Sequence, residues 1–304
     1  MPCISVNGKI TSPEEAMIPA LDRGFLFGDN VFETFVAFHG KILDLDRHLA
    51  RLRKSAAELM MEVPFSDEEL IFELQSLAEK VGAAKTSLRL VITRGEGLGL
   101  KFDQKLKPNK IIYCTEAPKL EASIYSDGIS LKRMASPFID RGPAAKTGNY
   151  LRAIVALLRA ERAGMQDILW TNSEKEITEA STANIFFIGR EGDNVFVKTP
   201  PAHSGILLGI TRETIMQLLN NAKIPVSEEV IFADELPRFD EAFVCSTVRG
   251  LVPVNQIDNH KLPTMRKNSI FQHIDRLYLS WVESQLGFRV DWNSGEKVAG
   301  RFES

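Results

Sequence analysis

Short apolar runs separated by turn residues occupy the beginning of the chain. Runs on either side of Asn7-Gly8 predict a hairpin with a two-residue turn, and runs on either side of His39-Gly40 predict a second hairpin. Residues 45–60 follow with apolar positions every three or four residues, which indicates an amphipathic helix. The first part of the chain is therefore predicted to mix strands and helices.

A second helix is predicted by its boundaries. Ser66 is followed three residues later by Glu69, the pattern of a capping box, and Gly82 is a suitable end for a helix. The remaining predicted helices cover residues 149–162, 210–221 and 264–285. The strand-like segments cover residues 87–93, 110–115, 129–134, 166–170, 183–188 and 242–245.

Strands and helices alternate irregularly and include hairpins, so the pattern predicts an α+β fold rather than a doubly wound parallel sheet. The polar, proline-containing stretch 116–128 indicates a boundary between two domains. We predict a small N-terminal domain in residues 1–118, a linker in 119–128, a larger domain in 129–287 and a tail in 288–304. The tail has few apolar residues and is expected to be poorly ordered.

The composition narrows the class of protein and its partners. Of 304 residues, 44% are apolar and 25% are charged, as in a soluble globular protein, and a net charge of -3 gives no reason to expect nucleic acid or an anionic membrane as a partner. The amino terminus lacks the pattern of a secretory signal, and no apolar run approaches the roughly 18 residues needed to cross a bilayer. Three scattered cysteines, Cys3, Cys114 and Cys245, favour reduced thiols in a cytoplasmic protein.

Missing motifs exclude several kinds of chemistry. The chain has no phosphate loop, no GxGxxG opening a βαβ unit, no HExxH and no CxxC, and its five histidines lack paired spacing, so no metal site is expected. Most lysines stand in charged surface contexts. Lys146 instead lies between Pro143-Ala144-Ala145 and Thr147-Gly148, small residues that permit close approach by a ligand. A lysine that forms a Schiff base needs a free amine, obtained by desolvation or by nearby positive charge.

Further segments carry groups suited to an anionic cofactor, each with an ordinary alternative. The backbone N–H groups of Ile210 and Thr211 open a predicted helix, where a phosphate is stabilised, although Thr211 can also be a plain N-cap. Ser246-Thr247 ends an apolar strand and offers two hydroxyl groups, or is simply a turn. Arg51 on its helix either binds phosphate or faces solvent. Glu179 is either a functional carboxylate or a turn residue.

Seven segments occur in one order between about residue 4 and residue 285. They are DRGFLFGDNVFET (22–34), HLARLRKSA (48–56), LRLVITRG (88–95), KTGNYL (146–151), ITEASTANIFF (177–187), LLGITRE (207–213) and CSTVRGLVPV (245–254). Their order and spacing resemble the class IV aminotransferases, the fold-type IV pyridoxal-phosphate enzymes. That family includes branched-chain and D-amino-acid aminotransferases, (R)-selective amine transaminases and aminodeoxychorismate lyase.

The resemblance implies a fold, a cofactor and roles for single residues. The fold is that of D-amino-acid aminotransferase, with a small N-terminal α/β domain and a larger, β-barrel-like C-terminal domain with helices, in a homodimer. The cofactor is pyridoxal 5'-phosphate, with Lys146 as the Schiff-base lysine and Glu179 as the carboxylate that keeps the pyridine nitrogen protonated. Tyr150 matches, after a one-residue gap, a tyrosine near the cofactor. The implied phosphate-binding residues are Arg51, Ile210, Thr211, Ser246 and Thr247.

The implied activity is transfer of an amino group between a small amino acid, branched-chain-like or D-configured, and a 2-keto acid. The reaction would follow ping-pong kinetics through the Schiff base at Lys146. Two alternatives stay open. One is aminodeoxychorismate lyase, which eliminates pyruvate with the same lysine and cofactor. The other is a binding or regulatory protein with the same fold, against which the presence of Lys146, Glu179 and Arg51 argues.

Three arginines are candidates for binding the carboxylate of a substrate. Arg89 falls where branched-chain enzymes have an arginine, although Ser87 stands where those enzymes usually carry a tyrosine. Arg94 precedes a loop that lacks the arginine of the D-amino-acid enzymes. Arg249 occupies a turn in which the branched-chain and D-amino-acid enzymes tend to have small or acidic residues, so that it either binds a carboxylate or points outward as a surface charge.

Overall fold

The structure is a computed structural model that describes residues 2–101, 106–136, 145–267 and 269–299. The chain divides into two compact units. The first unit contains the residues up to Lys119, Ala145–Asn149 and the residues from Glu283 onward, and the second contains Leu120–Ala144 and Tyr150–Val282. This division differs from the predicted domains because it joins the segment around Lys146 and the end of the chain to the first unit.

The first unit contains a six-stranded antiparallel sheet. Its strands are β1 (Cys3–Val6), β2 (Lys9–Thr11), β3 (Asn30–Phe38), β4 (Lys41–Ile42), β5 (Lys85–Thr93) and β6 (Asn109–Glu116). They lie in the order β2-β1-β6-β5-β3-β4. The helices are α1 (Arg23–Phe27), α2 (Leu45–Glu58) and α3 (Asp67–Val81). Both predicted hairpins and the Ser66–Glu69 capping box are confirmed, and α3 ends at Gly82 in the left-handed conformation.

Helices α2 and α3 contribute their apolar residues to the core of this unit. Leu49 and Leu52 of α2 and Leu74 of α3 are fully buried in one cluster with sheet residues that include Phe35 and Leu88. Burying a leucine side chain contributes about 1.5–3 kcal/mol, so this cluster fixes α2 on the sheet. Arg51 and Ser55, which lie on the same helix, are thereby held in place.

The second unit contains a nine-stranded mixed sheet that curls into a half-barrel. Its strands are β7 (Ile129–Ala135), β8 (Asp167–Thr171), β9 (Ile177–Ala180), β10 (Asn184–Glu191), β11 (Asn194–Thr199), β12 (Val226–Glu228), β13 (Phe239–Ser246), β14 (Gly250–Ile257) and β15 (His260–Lys261). Their order is β12-β11-β10-β13-β14-β7-β8-β9, with β15 beside β14. The helices are α4 (Ala122–Ser126), α5 (Leu151–Arg162), α6 (Ile210–Asn221) and α7 (Ile270–Leu286), together with the 3-10 turns Ala202–Ser204 and Ala233–Arg238. The predicted α+β, barrel-like fold is confirmed.

The structure corrects two expectations about the end of the chain. The last helix begins at Ile270 and not near residue 264. Residues 288–299, expected to be poorly ordered, pack on the first unit: the Trp292 ring lies 5.1 Å from the Phe38 ring, and Lys85 Nζ donates to the Trp292 carbonyl at 2.7 Å. One buried aromatic ring and backbone hydrogen bonds hold a segment that is otherwise poor in apolar residues. Residues 300–304 of the predicted tail lie outside the described residues.

In the described ranges, no helix is long and apolar enough to span a membrane.

Candidate active site

The backbone around Lys146 is fixed to the first unit from two sides. The Phe32 N–H donates to the Lys146 carbonyl at 3.0 Å, and the Lys146 N–H donates to Ser55 Oγ at 3.1 Å. A β-bridge joins Thr147 to Val31. Residues 145–149 therefore sit beside β3 and α2 and belong to the first unit. Residues 137–144, which include Pro143-Ala144 of the motif that precedes Lys146, lie outside the described residues.

The side chain of Lys146 lies over an aromatic ring. Its Nζ is 4.4 Å from the centroid of Phe32, and the guanidinium carbon of Arg89 is 3.8 Å from the same centroid. Both cations are within the distance at which the face of a ring attracts positive charge. The structure thus brings together two predicted residues, Lys146 and Arg89, through Phe32.

A buried ion cluster joins β3 to α2, around the residue that follows Phe32. Glu33 accepts hydrogen bonds from Arg51 Nε at 2.7 Å, from Arg51 Nη2 at 2.8 Å and from His48 Nδ1 at 2.8 Å. Burial of Glu33 acts to raise the pKa of its carboxyl, but the bonds from Arg51 and His48 outweigh it, and the pKa falls to about 2. Burial also lowers the pKa of His48, with Glu33 opposing the shift. Glu33 therefore orients the guanidinium that was predicted to bind phosphate.

Arg94, the third candidate for a substrate carboxylate, is engaged within the first unit. Its Nε donates to Asp29 at 2.8 Å, and its Nη1 and Nη2 donate to the carbonyl groups of Met60 and Leu59 at 3.0 and 2.9 Å. These bonds connect the end of β5 to the residues that follow α2. The geometry supports a structural role for Arg94.

In the second unit, one asparagine connects Glu179 to the beginning of α6. Asn184 Nδ2 donates to Glu179 Oε2 at 3.0 Å and to the Leu207 carbonyl at 2.8 Å, and the Leu207 N–H donates to the same Glu179 oxygen at 3.1 Å. The carboxylate of Glu179, which is half-buried, is therefore held by two donors. Asn184 was not among the predicted residues.

The beginning of α6 has the form of an anion-binding site. Its N-cap is Gly209, with φ -71° and ψ 136°, so the alternative in which Thr211 caps the helix is wrong. Glycine brings no side chain to the first turn, and the N-terminal N–H groups of a helix favour negative charge. A Cβ at Gly209 would lie 2.0 Å from Asn184 Oδ1, so any other residue at this position must displace the Asn184 side chain.

We expect the variant Gly209→Ala to bind the cofactor more weakly by about tenfold, which corresponds to about 1.4 kcal/mol. The added methyl group must displace Asn184, which also holds Glu179. Equilibrium dialysis against pyridoxal phosphate measures the change. Gly97→Ala is the control because its Cβ would meet no atom closer than 3.5 Å. Equal affinities of the two variants would contradict the expected role of Gly209.

Ser246 and Thr247 lie next to the same cluster. Cys245 of β13 is paired with Asn184 of β10. Ser246 and Thr247 follow Cys245 directly and therefore lie at the end of β13 that is closest to Asn184. Both hydroxyl-bearing residues are half-buried. The second unit therefore brings together five predicted residues: Glu179, Ile210, Thr211, Ser246 and Thr247.

Arg249 is tied to two neighbours in the turn between β13 and β14. Its Nη1 donates to Asp167 Oδ2 at 3.0 Å and its Nη2 donates to Thr182 Oγ1 at 3.1 Å. Asp167 is buried, and its other oxygen accepts from the Ile168 N–H at 2.8 Å. The side chain therefore does not simply point outward. A guanidinium has five N–H groups, so two bonds leave it donors for a further acceptor.

Tyr150 lies at the beginning of α5. It is the N-cap residue of α5, half-buried, and its carbonyl accepts from the Ile154 N–H at 2.9 Å. Its proximity to a cofactor stays a prediction.

The three cysteines take no part in this chemistry. All three are buried and form no disulfide. Burial raises the pKa of Cys245 to about 12 and that of Cys114 to about 12. A thiol that stays protonated is a poor nucleophile and metal ligand, so Cys245 acts as a small buried residue. Within the described ranges, no group of His, Cys, Asp and Glu side chains is suited to hold a metal ion.

The donors in the second unit fit the two polar ends of pyridoxal phosphate. The glycine-capped start of α6, together with Ser246 and Thr247, suits a phosphate group, and Gly209 provides space that a Cβ would fill. The carboxylate of Glu179, fixed by Asn184, suits a protonated ring nitrogen.

The chain is also similar to known proteins. The sequence model of the family described as "Amino-transferase class IV" matches residues 30–257. The "Putative branched-chain-amino-acid aminotransferase" of Methanocaldococcus jannaschii is 30% identical over 94% of this chain and 98% of its own length. The D-alanine aminotransferase of Bacillus licheniformis is 29% identical over 84% of this chain and 88% of its own length.

Solved structures share the fold. The branched-chain amino acid aminotransferase of Escherichia coli matches with a TM-score of 0.81 and 25% identity over 90% of this chain and 92% of its own. The branched-chain aminotransferase of Thermoproteus uzoniensis, solved with norvaline, matches with a TM-score of 0.79 and 27% identity over 94% of this chain and 95% of its own.

Proposed function

The chain belongs to the class IV aminotransferases and is a pyridoxal-phosphate enzyme, and from this premise we propose that it moves an amino group between a small amino acid and a 2-keto acid by way of Lys146. The observation that carries the proposal is the placement of Lys146 Nζ over Phe32, with its backbone fixed to Phe32 and Ser55. A reactive amine must be held in position to act repeatedly on one atom of a substrate.

When bound, the cofactor supplies an aldehyde that forms a bond with an amine and a ring that accepts the electron pair released at the α-carbon. Glu179, held by Asn184, would keep a proton on the ring nitrogen. The beginning of α6, Ser246, Thr247 and Arg51 would hold the phosphate group. Lys146 would attach the cofactor through Nζ and, once released, would take the proton from the α-carbon of the substrate as a general base.

The substrate class follows from the relatives and from the arginines. The names of the relatives specify branched-chain amino acids and D-alanine, so we propose a small branched-chain-like or D-amino acid as the donor. Arg89 and Arg249 are proposed to bind its carboxylate. The two halves of the reaction would follow ping-pong kinetics, because the protein holds the amino group between them.

The experiment is a panel of L- and D-amino acids added singly to the purified holoenzyme. A donor should convert the absorbance of the bound cofactor to that of its pyridoxamine form and release one equivalent of keto acid. A 4-amino-4-deoxychorismate assay on the same sample tests the lyase alternative. The proposal is wrong if no amino acid converts the cofactor, or if pyruvate is eliminated while the cofactor keeps its original spectrum.

We expect Arg249→Ala to raise KM for amino and keto acids by about tenfold and to leave KM for simple primary amines almost unchanged. The reason is that a hydrogen bond to a charged group contributes about 1.5–3 kcal/mol. Amino and keto acids would lose such a bond between their carboxylate and Arg249, whereas primary amines have no carboxylate. Steady-state kinetics with matched acid and amine substrates measures the difference. Arg190→Ala, at an exposed arginine of β10, is the control. Equal effects on acids and amines would show that Arg249 only secures its turn through Asp167.

A cytoplasmic homodimer is also proposed. Three buried thiols without a disulfide fit a reducing compartment. Sedimentation of the holoenzyme would measure the number of subunits, and a monomer that retains full activity would contradict the dimer.

A further inference from the structure

A cavity of about 380 Å³ lies in the second unit between α4, β14 and the beginning of α7. Its volume is at the lower end of the range of roughly 300–1,000 Å³ that small-molecule sites occupy. The apolar walls are formed by Tyr125, Leu251, Pro253, Met265 and Phe271. None of these residues belongs to the predicted cofactor or substrate site.

The polar groups of the cavity come from one face of α7. Gln272, Asp275 and Arg276 all line it, and their spacing of three and four residues makes them neighbours on the helix surface. In the described part of the chain, no hydrogen bond or ion pair within 4 Å joins these three side chains to the protein. An amide, a carboxylate and a guanidinium therefore converge on one cavity with their bonding capacity unused.

Of the three polar groups, the carboxylate of Asp275 would be stabilised most by a ligand of opposite charge. Burial raises its pKa to about 6, with the positive charge of Arg276 opposing the shift. A buried carboxylate that lacks a partner is unfavourable, and an ammonium group beside it would relieve this cost. Arg276, on the same face, is suited to a carboxylate.

We propose that this cavity binds a second, non-reacting amino acid with an apolar side chain. Asp275 pairs with its ammonium group, Arg276 with its carboxylate, and the walls around Phe271 and Leu251 take the side chain. The proposal does not rest on the role of Lys146. It rests on a carboxylate, a guanidinium and apolar walls that line one cavity large enough for a small amino acid.

The cavity adjoins the turn that carries Ser246 and Thr247. The Tyr125 hydroxyl donates to the Arg249 carbonyl at 3.0 Å, and Leu251 follows two residues later on β14. An amino acid in the cavity would therefore contact Tyr125, which is hydrogen-bonded to the turn, and Leu251, which lies on the strand just after it. The position is that of an effector site.

The experiment is titration calorimetry of the holoenzyme after reduction with borohydride, which blocks turnover. The probes are L-leucine, isoamylamine, which lacks the carboxylate, and 4-methylvalerate, which lacks the ammonium group. We expect L-leucine to bind with a Kd of about 1 mM or tighter, isoamylamine to bind more weakly and 4-methylvalerate not to bind. Binding of 4-methylvalerate as tight as that of L-leucine, or no binding of L-leucine at about 10 mM, would overturn the proposal.

Variants locate the site. Asp275→Asn, nearly equal in volume, should weaken L-leucine binding by about tenfold or more, and Arg276→Gln should weaken it less because that side chain is more exposed. Asp234→Asn, at an exposed carboxyl of the same unit, is the control. Unchanged binding in both Asp275→Asn and Arg276→Gln would place the ligand elsewhere. If mass analysis finds no reduced adduct, the function proposed for Lys146 fails, while the comparison of variants still tests the cavity.

Discussion

Replacing Lys146 with alanine is expected to abolish amino transfer, with turnover at least about 10⁴-fold lower than that of the unchanged enzyme. A positioned general base contributes about 10²–10⁴-fold, and the covalent hold on the cofactor is lost at the same time. The fold should survive because the two hydrogen bonds that fix this position, to Phe32 and Ser55, use only the backbone of Lys146. Turnover, cofactor absorbance and the melting temperature are measured on one preparation.

The control for Lys146 is an exposed lysine of the same unit. Lys54 lies on α2 directly before Ser55 and is exposed, so Lys54→Ala should keep both absorbance and turnover. Borohydride reduction followed by peptide mapping should find the cofactor on residue 146 in the unchanged enzyme and on no peptide of Lys146→Ala. Retention of either the absorbance or the turnover by Lys146→Ala would refute the assignment.

Local sequence signals were sufficient for most of the fold. The Asn7-Gly8 hairpin, the Ser66–Glu69 capping box and the stop at Gly82 each depend on residues close together in the chain, and each is confirmed. The segment after Phe288 could not be predicted in this way. Its order depends on Lys85, which lies 207 residues before Trp292, and on Phe38, which lies still earlier. Nothing in the sequence around these two residues indicates what they contact.

The supporting residues of the candidate site were missed for a related reason. Glu33 interrupts the apolar strand VFETFVAF, and a carboxylate in such a strand indicates a buried partner of opposite charge. The sequence alone does not show that His48 and Arg51 are its partners. Asn184 is a single polar residue at the start of an otherwise apolar segment, and its bonds to Glu179 and Leu207 form only when β10 and the beginning of α6 meet. Residues that hold other residues in place are visible only in the fold.

Glu33→Gln is expected to lower the free energy of unfolding at pH 7 by about 3–5 kcal/mol, because removing one member of a buried ion pair leaves the other uncompensated. Arg51 would lose its charged partner while its side chain stays only 11% exposed. Urea unfolding of the holoenzyme, with equal slopes in both proteins, measures the loss. Glu58→Gln, at an exposed position of α2, is the control and should change stability by less than about 0.5 kcal/mol.

The ion pair between Glu33 and Arg51 also makes the loss of unfolding free energy in Glu33→Gln depend on pH. The pKa of Glu33 is about 2 in the folded protein, below the ordinary value of 4.5, so its stabilising contribution is fully present above about pH 4.5 and disappears as the pH falls toward 2. The difference between the unchanged protein and Glu33→Gln should therefore shrink by an amount on the order of 3 kcal/mol across that interval. Because glutamine does not titrate, the shrinkage must come from the unchanged protein. A difference that stays constant from pH 6 to the acid limit of folding would mean that Glu33 is not held as a carboxylate by Arg51 and His48.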